Sequence, residues 1–392
     1  MSIKRIRIVG WLLVALLLLP AAAAARAALQ PGAQTAMAAQ STVAADYYQY
    51  DRGAIVDRYG RSFTDALAPA LLLFPAQLGA DAAELAQLLG ISEEQLAEQV
   101  AGQQMLVLRR GLSEAQAAAL MAADIAAVHL VELPQRQTSH AAWLIGSAEP
   151  PGGLEAQYDS FLQGRGGGQI AANIDARGSY CGNGLFRVAG GAGNTLCLTL
   201  DADYQQLAEQ ALGGQRGAIV LVDAADGALR AWAAADAEVA LAAHPQTQLQ
   251  PLIDHLRAAC GQDLSFPPLP VGYSADVAIG EGISTLQAAQ LALLAGTGRR
   301  ITPVLALGVR GEQGEWLWQP EAPLPEPPLV TPLTEAHTQL LSSTAAEGGS
   351  WHIAQLIGGE RLIAVVWLEG ARWQARLTAE SLLQNIRDLQ DW

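Results

Sequence analysis

Two stretches constrain the fold of this chain more than any others. GAIVLVDAADGALRAWA, residues 217–233, is an apolar run, an Asp226-Gly227 turn and a second apolar run. WHIAQLIGGERLIAVVWLEG, residues 351–370, repeats the pattern around Gly358-Gly359. Apolar runs of strand length split by a tight glycine turn predict β-hairpins. The Ala/Leu-rich stretch 285–296 predicts a buried helix, and a last helix is predicted from about Thr378 to Leu389. Upstream, LCLTLDADYQQLAEQAL predicts a strand and then a helix opened by Asp201. Strand pair, helices, strand pair and closing helix describe an α+β domain, an antiparallel sheet with helices packed on it.

The first 194 residues have a different texture. Lys4, Arg5 and Arg7 precede an apolar run from Ile8 to Ala25, interrupted only by Gly10 and Pro20. That run is close to the minimum for a membrane-spanning helix. Positive charges ahead of it place the N-terminus inside and the remainder outside. Residues 1–30 are therefore expected to be an uncleaved signal-anchor, although Ala-rich residues 21–28 also suit a signal-peptidase site. Both readings export residues 31–392, of which 31–45 are a small-residue linker. Residues 81–132 read as helical, with SEEQ at Ser92 and SEAQ at Ser113 as capping boxes. Residues 146–194 are dominated by glycine and turn residues, and 319–333 by proline.

Charge and cysteine narrow the function classes. A net charge of −15 argues against nucleic acid or an anionic lipid surface as partner. Lys4 is the only lysine, so no chemistry beyond the first residues has a lysine to use. Cys181 and Cys197 flank a Gly-rich, hairpin-like segment and are a candidate pair, which would leave Cys260 over. No Cys-x-x-Cys occurs, so no zinc site, and no other cofactor, is implied.

The segment RGAIVDRYG, residues 52–60, lies just outside the anchor as a short strand, Ala54 to Val56, between two turns. It resembles the Arg-Gly-x-Ile-x-Asp-Arg-x-Gly signature of class B penicillin-binding proteins, carried by Arg52, Gly53, Asp57, Arg58 and Gly60. LVLRRGLSEAQAAAL and then Arg136 resemble the segment ending in that family's Arg-x-Tyr-Pro, with Gln137 in place of tyrosine. AAWLIGSAEPPGGLEAQYDSFLQGRGG resembles its His-x-Ile-Gly … Gly-Leu-Glu … Leu-x-Gly block through Gly146, Gly153, Leu154, Glu155 and Gly164, with Trp143 where histidine is usual. LTLDADYQQLAEQAL and the 217–233 hairpin resemble the entry to its transpeptidase domain. AIGEGISTLQAAQLALLAGTGRRITPVL resembles a later helix, with Ser284-Thr285-Leu286-Gln287 for the family's Thr-Pro-x-Gln. The similarity is spread over roughly residues 50–370, in one order. It implies a stalk module over 46–194, dimerisation-like in that family, and a transpeptidase-like domain over 195–392.

The resemblance lacks the family's chemistry. That chemistry uses a Ser-x-x-Lys helix, a Ser-x-Asn loop and a Lys-Thr-Gly strand, the serine attacking a peptidoglycan stem peptide. Here no Ser-x-x-Lys and no Ser-x-Asn occurs, and arginine cannot take the lysine's part because its guanidinium does not deprotonate. Where Lys-Thr-Gly is expected the chain reads LLSSTAAEGGSW, with Ser342 about where the lysine stands. From Ala233 to Ala278 is 45 positions, where the family places a much longer helical subdomain bearing the serine. AHPQTQLQPLIDHLRAACGQDLSFPPLP is the expected remnant, one helix and a Pro-rich loop.

Other chemistries have weaker support. Gly-x-Ser-x-Gly is absent. Ser350 and His352 would share a strand face, but no acid is placed to orient the histidine. His244 and His255 with Asp254 lack a further metal ligand. The glycines of 164–168 and 190–193 match phosphate-cradling loops in composition only. Arg52, Asp57 and Arg58 are expected to form a buried ion-pair network. The expectation is a membrane-anchored, single-pass, extracytoplasmic pseudoenzyme of the penicillin-binding family, acting by binding in wall synthesis or division. Its expected partners are cell-division or elongation membrane proteins, with self-association and stem-peptide binding left open. The rival is an active D,D-transpeptidase or carboxypeptidase-type enzyme with a relocated nucleophile, Ser350 or Ser342. Decay of the gene is disfavoured, because the strand patterns and capping boxes remain clean. Loss of the helical subdomain is expected to expose one sheet face unless the helix near Leu249–Ala259 or a partner covers it.

Overall fold

In the computed structural model, the described residues are 42–50, 52–148, 150, 152–164, 167–188, 190–260, 282–320, 328–332, 339–342, 349–356, 360–370 and 374–390. The anchor-like run 8–25 and the Gly358-Gly359 turn lie outside them. Among the described residues no helix is long and apolar enough to cross a membrane. The chain divides into two compact units: residues 1–49, 68–133 and 168–189, and residues 50–67, 134–167 and 190–392.

The first unit contains two three-stranded sheets. One has the order β1-β6-β7, from Thr42–Tyr50, Gly167–Ile174 and Tyr180–Val188. The other has the order β4-β3-β5, from Leu106–Arg109, Asp65–Leu73 and Val128–Arg136. Strand β3 explains the packing, because its side chains alternate between two apolar faces. Leu71 and Leu73 pack with Leu85 of α1 (Ala82–Leu89), Leu96 of α2 (Glu93–Val100) and Leu120 of α3 (Glu114–Ala122). Ala70 and Leu72, with Phe74 just beyond, pack with Ala44, Ile170, Ala172 and Ile174. The capping boxes at Ser92 and Ser113 form as read, each serine accepting from the backbone N–H three residues on. The all-helical expectation for 81–132 needs correcting, since β4 and the start of β5 lie within it. Segment 146–194 likewise holds β6, β7 and two short helices rather than turns alone. The Cys181–Cys197 pairing is not seen: both are free thiols, as is Cys260.

The second unit begins with β2 (Ile55–Val56) and the short helices α4 (Ala142–Ile145), α5 (Gly153–Gln157) and α6 (Asp159–Leu162). It continues through β8 (Thr195–Leu198) and α7 (Ala202–Leu212) into the first hairpin, β9 (Gly217–Asp223) and β10 (Leu229–Ala234). Then come α8 (Ala237–Leu241), β11 (His244–Pro245), α9 (Gln250–Cys260), β12 (Gly282–Ile283) and α10 (Thr285–Thr297). A second hairpin, β13 (Ala306–Arg310) and β14 (Trp316–Trp318), precedes β15 (Gln339–Ser342), β16 (Ser350–Leu356), β17 (Leu362–Leu368) and α11 (Gln374–Gln390).

The central sheet is antiparallel in the order β10-β9-β17-β16-β15. Both its faces are covered, which is why its strands are apolar at nearly every position. Val220 and Val222 of β9 and Ile363 and Val365 of β17 face α10, on which α9 packs. Ile219 and Leu221 of β9, and Ala364 and Val366 of β17, face α7 and α11. Helix α11 shows the matching period, with Ala375, Ala379, Leu382, Leu383 and Ile386 buried. Helix α9, in the stretch expected to be a remnant, buries Leu252, Ile253 and Leu256 in the main core beside α10. A smaller sheet, β14-β13-β8-β2, joins β2 to β8 in parallel, Ile55 opposite Leu196.

Candidate functional site

The segment 52–61 is held by three separate ion-pair groups. The first centres on Glu155, whose carboxylate is 1% exposed. Arg52 Nε donates to Glu155 Oε2 at 2.7 Å and Arg136 Nε to Oε1 at 2.7 Å. Arg52 Nη1 reaches Asp159 at 2.7 Å, and Arg136 Nη1 reaches both the Gly53 carbonyl and Asp65 at 2.9 Å. Burial works against the Arg52 charge, but the bonds to Glu155 and Asp159 outweigh it and raise its pKa.

The glycines of this block are positions where backbones meet. Gly53 N–H donates to Leu162 O at 2.8 Å, and a Cβ on Gly53 would run into the carbonyl of Asn194. Gly146 and Gly153 lie against each other at positive φ, so a side chain on either meets the other's turn. Gly164 precedes β6. Gly193 packs directly on Leu162 O, so 190–193 is a packing contact.

The second group is the turn after β2. Asp57 Oδ1 accepts from the N–H groups of Tyr59 and Arg61 at 2.8 Å, and Oδ2 accepts from Arg61 Nε at 2.7 Å. Gly60 N–H closes the turn on Asp57 O at 3.0 Å. Arg61 also binds Asp201 at 2.9 Å and Asp203 at 2.7 Å, tying the turn to the start of α7. In the third group Arg58 pairs with Glu360 at 3.0 Å. Arg52, Asp57 and Arg58 are thus each ion-paired but not with one another: Arg52 and Arg58 pair far along the chain, and Asp57 pairs with Arg61 four residues on. Arg61, Asp203 and Glu360 were missed by sequence reasoning. Arg61 lies in the segment itself, four residues after Asp57, but no local spacing connects Asp203 or Glu360 to it.

The alternative nucleophiles lie at the far edge of the central sheet. Ser342 stands opposite His352 in the β15–β16 register. Ser350 and His352 do share a face of β16, as the spacing predicts, and it is the face toward α11. Both are fully buried, at 0% exposure. Ser350 Oγ and both ring nitrogens of His352 have no hydrogen-bond partner among the described residues. Burial pushes His352 down to about 4, with Glu380 and Arg376 acting weakly in opposite directions. A serine nucleophile needs a bond to its base and access to substrate, and this pair shows neither.

The two histidines weighed as metal ligands are not brought together. His244 is buried and stacked on Trp367, ring centroids 3.5 Å apart, with Nε2 2.9 Å from Val239 O. His255 is exposed on α9. No group of three or more His, Cys, Asp or Glu among the described residues is placed to hold a metal ion.

No protein-family model matches the chain, and no curated protein matches it. Among solved structures it is similar to a peptidoglycan synthetase from Bifidobacterium adolescentis, at 12% identity and a TM-score of 0.43 over 89% of this chain and 97% of that one. It is also similar to a chain of a peptidoglycan synthase complex that coordinates polymerization and crosslinking, at 16% identity and a TM-score of 0.43 over 97% and 98%.

Proposed function

We propose that this protein is a cell-wall-related, penicillin-binding-protein-like chain that acts by binding rather than by acyl transfer. Its N-terminal segment would anchor it in the membrane, with the rest extracytoplasmic. The observation that carries the reading is chemical: a scaffold with the family's motifs in order has no lysine after residue 4. An attacking serine in that family needs a neighbouring amine to take its proton, and the remaining basic side chains here are arginines and histidines. The complete burial of Ser350 and His352 weighs against the relocated-nucleophile reading. The Glu155 and Asp57 carboxylates each have both oxygens hydrogen-bonded, which suits a rigid support better than a reacting centre.

The test is the intact mass of the full-length protein after incubation with a reactive β-lactam. The expected result is an unmodified mass. A stoichiometric adduct mapped to a serine overturns the binding-only reading and names the nucleophile. Membrane division or elongation proteins are the partners we propose, to be sought by co-purification once the mass result is in hand.

A further inference from the structure

We propose that α11 is an acid-releasable clasp over the central sheet, with His352 beneath it as the proton-accepting trigger. The face that α11 covers is apolar at Ala354, Leu356, Ala364, Val366 and Leu368. Ser350 and His352 break that pattern on the same face, fully buried and without hydrogen-bond partners among the described residues. Such groups cost free energy in the closed state.

A proton on His352 worsens the mismatch. The charged groups that act on it are Arg376 and Glu380, both on α11. These bond to each other at 2.7 Å, so Glu380 is already engaged. Neither flanking strand supplies a counter-charge, since Gln339–Ser342 and Leu362–Leu368 contain no titratable residue. Helix α7 packs over β9 and β10, away from β16. With α11 closed, a charged imidazole is sealed from water without an acceptor. Lifting the first turns of α11 hydrates it. Helix α11 packs on β16, β17 and α7, while α9 and α10 belong to the core on the other face of the sheet, so α11 is the element that opening releases. An opened clasp presents the apolar face of β16 and β17.

The sign follows from linkage. His352 is depressed in the closed state, so the open state binds more protons between pH 6.5 and 4. Closure is strongest above pH 6.5 and weakens as the pH falls through that window. From pH 7.5 to 5.5 the opening constant rises about 10-fold, taking an ordinary histidine in the open state.

Hydrogen exchange of the full-length protein at these two pH values, corrected for intrinsic rates, tests the proposal. Amides in the first half of α11 are expected to lose about 10-fold in protection, while α10 amides do not change. His352→Leu is expected to abolish the pH dependence of α11. A change under about 2-fold, equal loosening of α10 and α11, or a pH effect that survives His352→Leu overturns it. Should that variant fail to fold, exchange at the His352 C2–H of the wild-type protein decides. Titration well below the ordinary range supports the clasp, and an ordinary value overturns it.

Discussion

Glu155 holds two guanidinium groups on one buried carboxylate, and the consequence is asymmetric. Replacing it with alanine leaves Arg52 and Arg136 facing each other over a buried void. We expect Glu155→Ala to cost about 3–5 kcal/mol of unfolding free energy, read from the denaturant midpoint. Ser350→Ala should behave oppositely. It removes a buried hydroxyl without a partner among the described residues, so stability should stay level or rise by up to about 1 kcal/mol. A clear loss would mean that the hydroxyl is satisfied in solution. The sequence showed which residues matter at this scale but not how they bond. Arg52 meets Glu155 across 103 positions and Arg58 meets Glu360 across 302. Ion pairs at such separations leave no period or spacing to detect, so the single network inferred for Arg52, Asp57 and Arg58 became three.

Elements that carry their own signal were legible. The capping boxes at Ser92 and Ser113, the Asp201 cap and both hairpins follow from local chemistry, and all formed. Strand β4 was not legible. Its four residues sit between Ala-rich helices, and they are extended because β3 pairs with them, Leu72 opposite Val107. The tetrad at Ser284 also closes as a capping box, with Gln287 returning the bond at 2.9 Å. Ser284→Ala should cost about 1 kcal/mol, measured by thermal melting. Helix α9 offers a sharper test. If it replaces the cover of a lost subdomain, truncating its buried Ile253 should cost about 2–4 kcal/mol and increase dye binding to apolar surface. A change within about 0.5 kcal/mol, the range of surface substitutions, would mean that α9 rests on the core without supporting it.

At the scale of the molecule, the expected boundary at residues 194 and 195 and the compact units fall in different places. Sequence texture changes at Thr195, where the hairpin-rich half begins. The second unit nevertheless takes residues 50–67 and 134–167 from before that point. Those segments bring Ile55, Leu144, Ile145, Leu154 and Leu162, all fully buried in the same core as β9 and α10. Such recruitment leaves no mark in local composition, because it is decided by which apolar faces remain uncovered once the sheet has formed. It carries a cost for any shortened chain. Losing five buried aliphatic side chains removes on the order of 10 kcal/mol of burial, which is the size of a typical domain's whole stability. A fragment of residues 195–392 is therefore expected to lack a cooperative melt and near-ultraviolet dichroism, while the full-length protein shows both. A fragment that melts sharply within a few degrees of the full chain would show that the C-terminal half folds without residues 50–67 and 134–167.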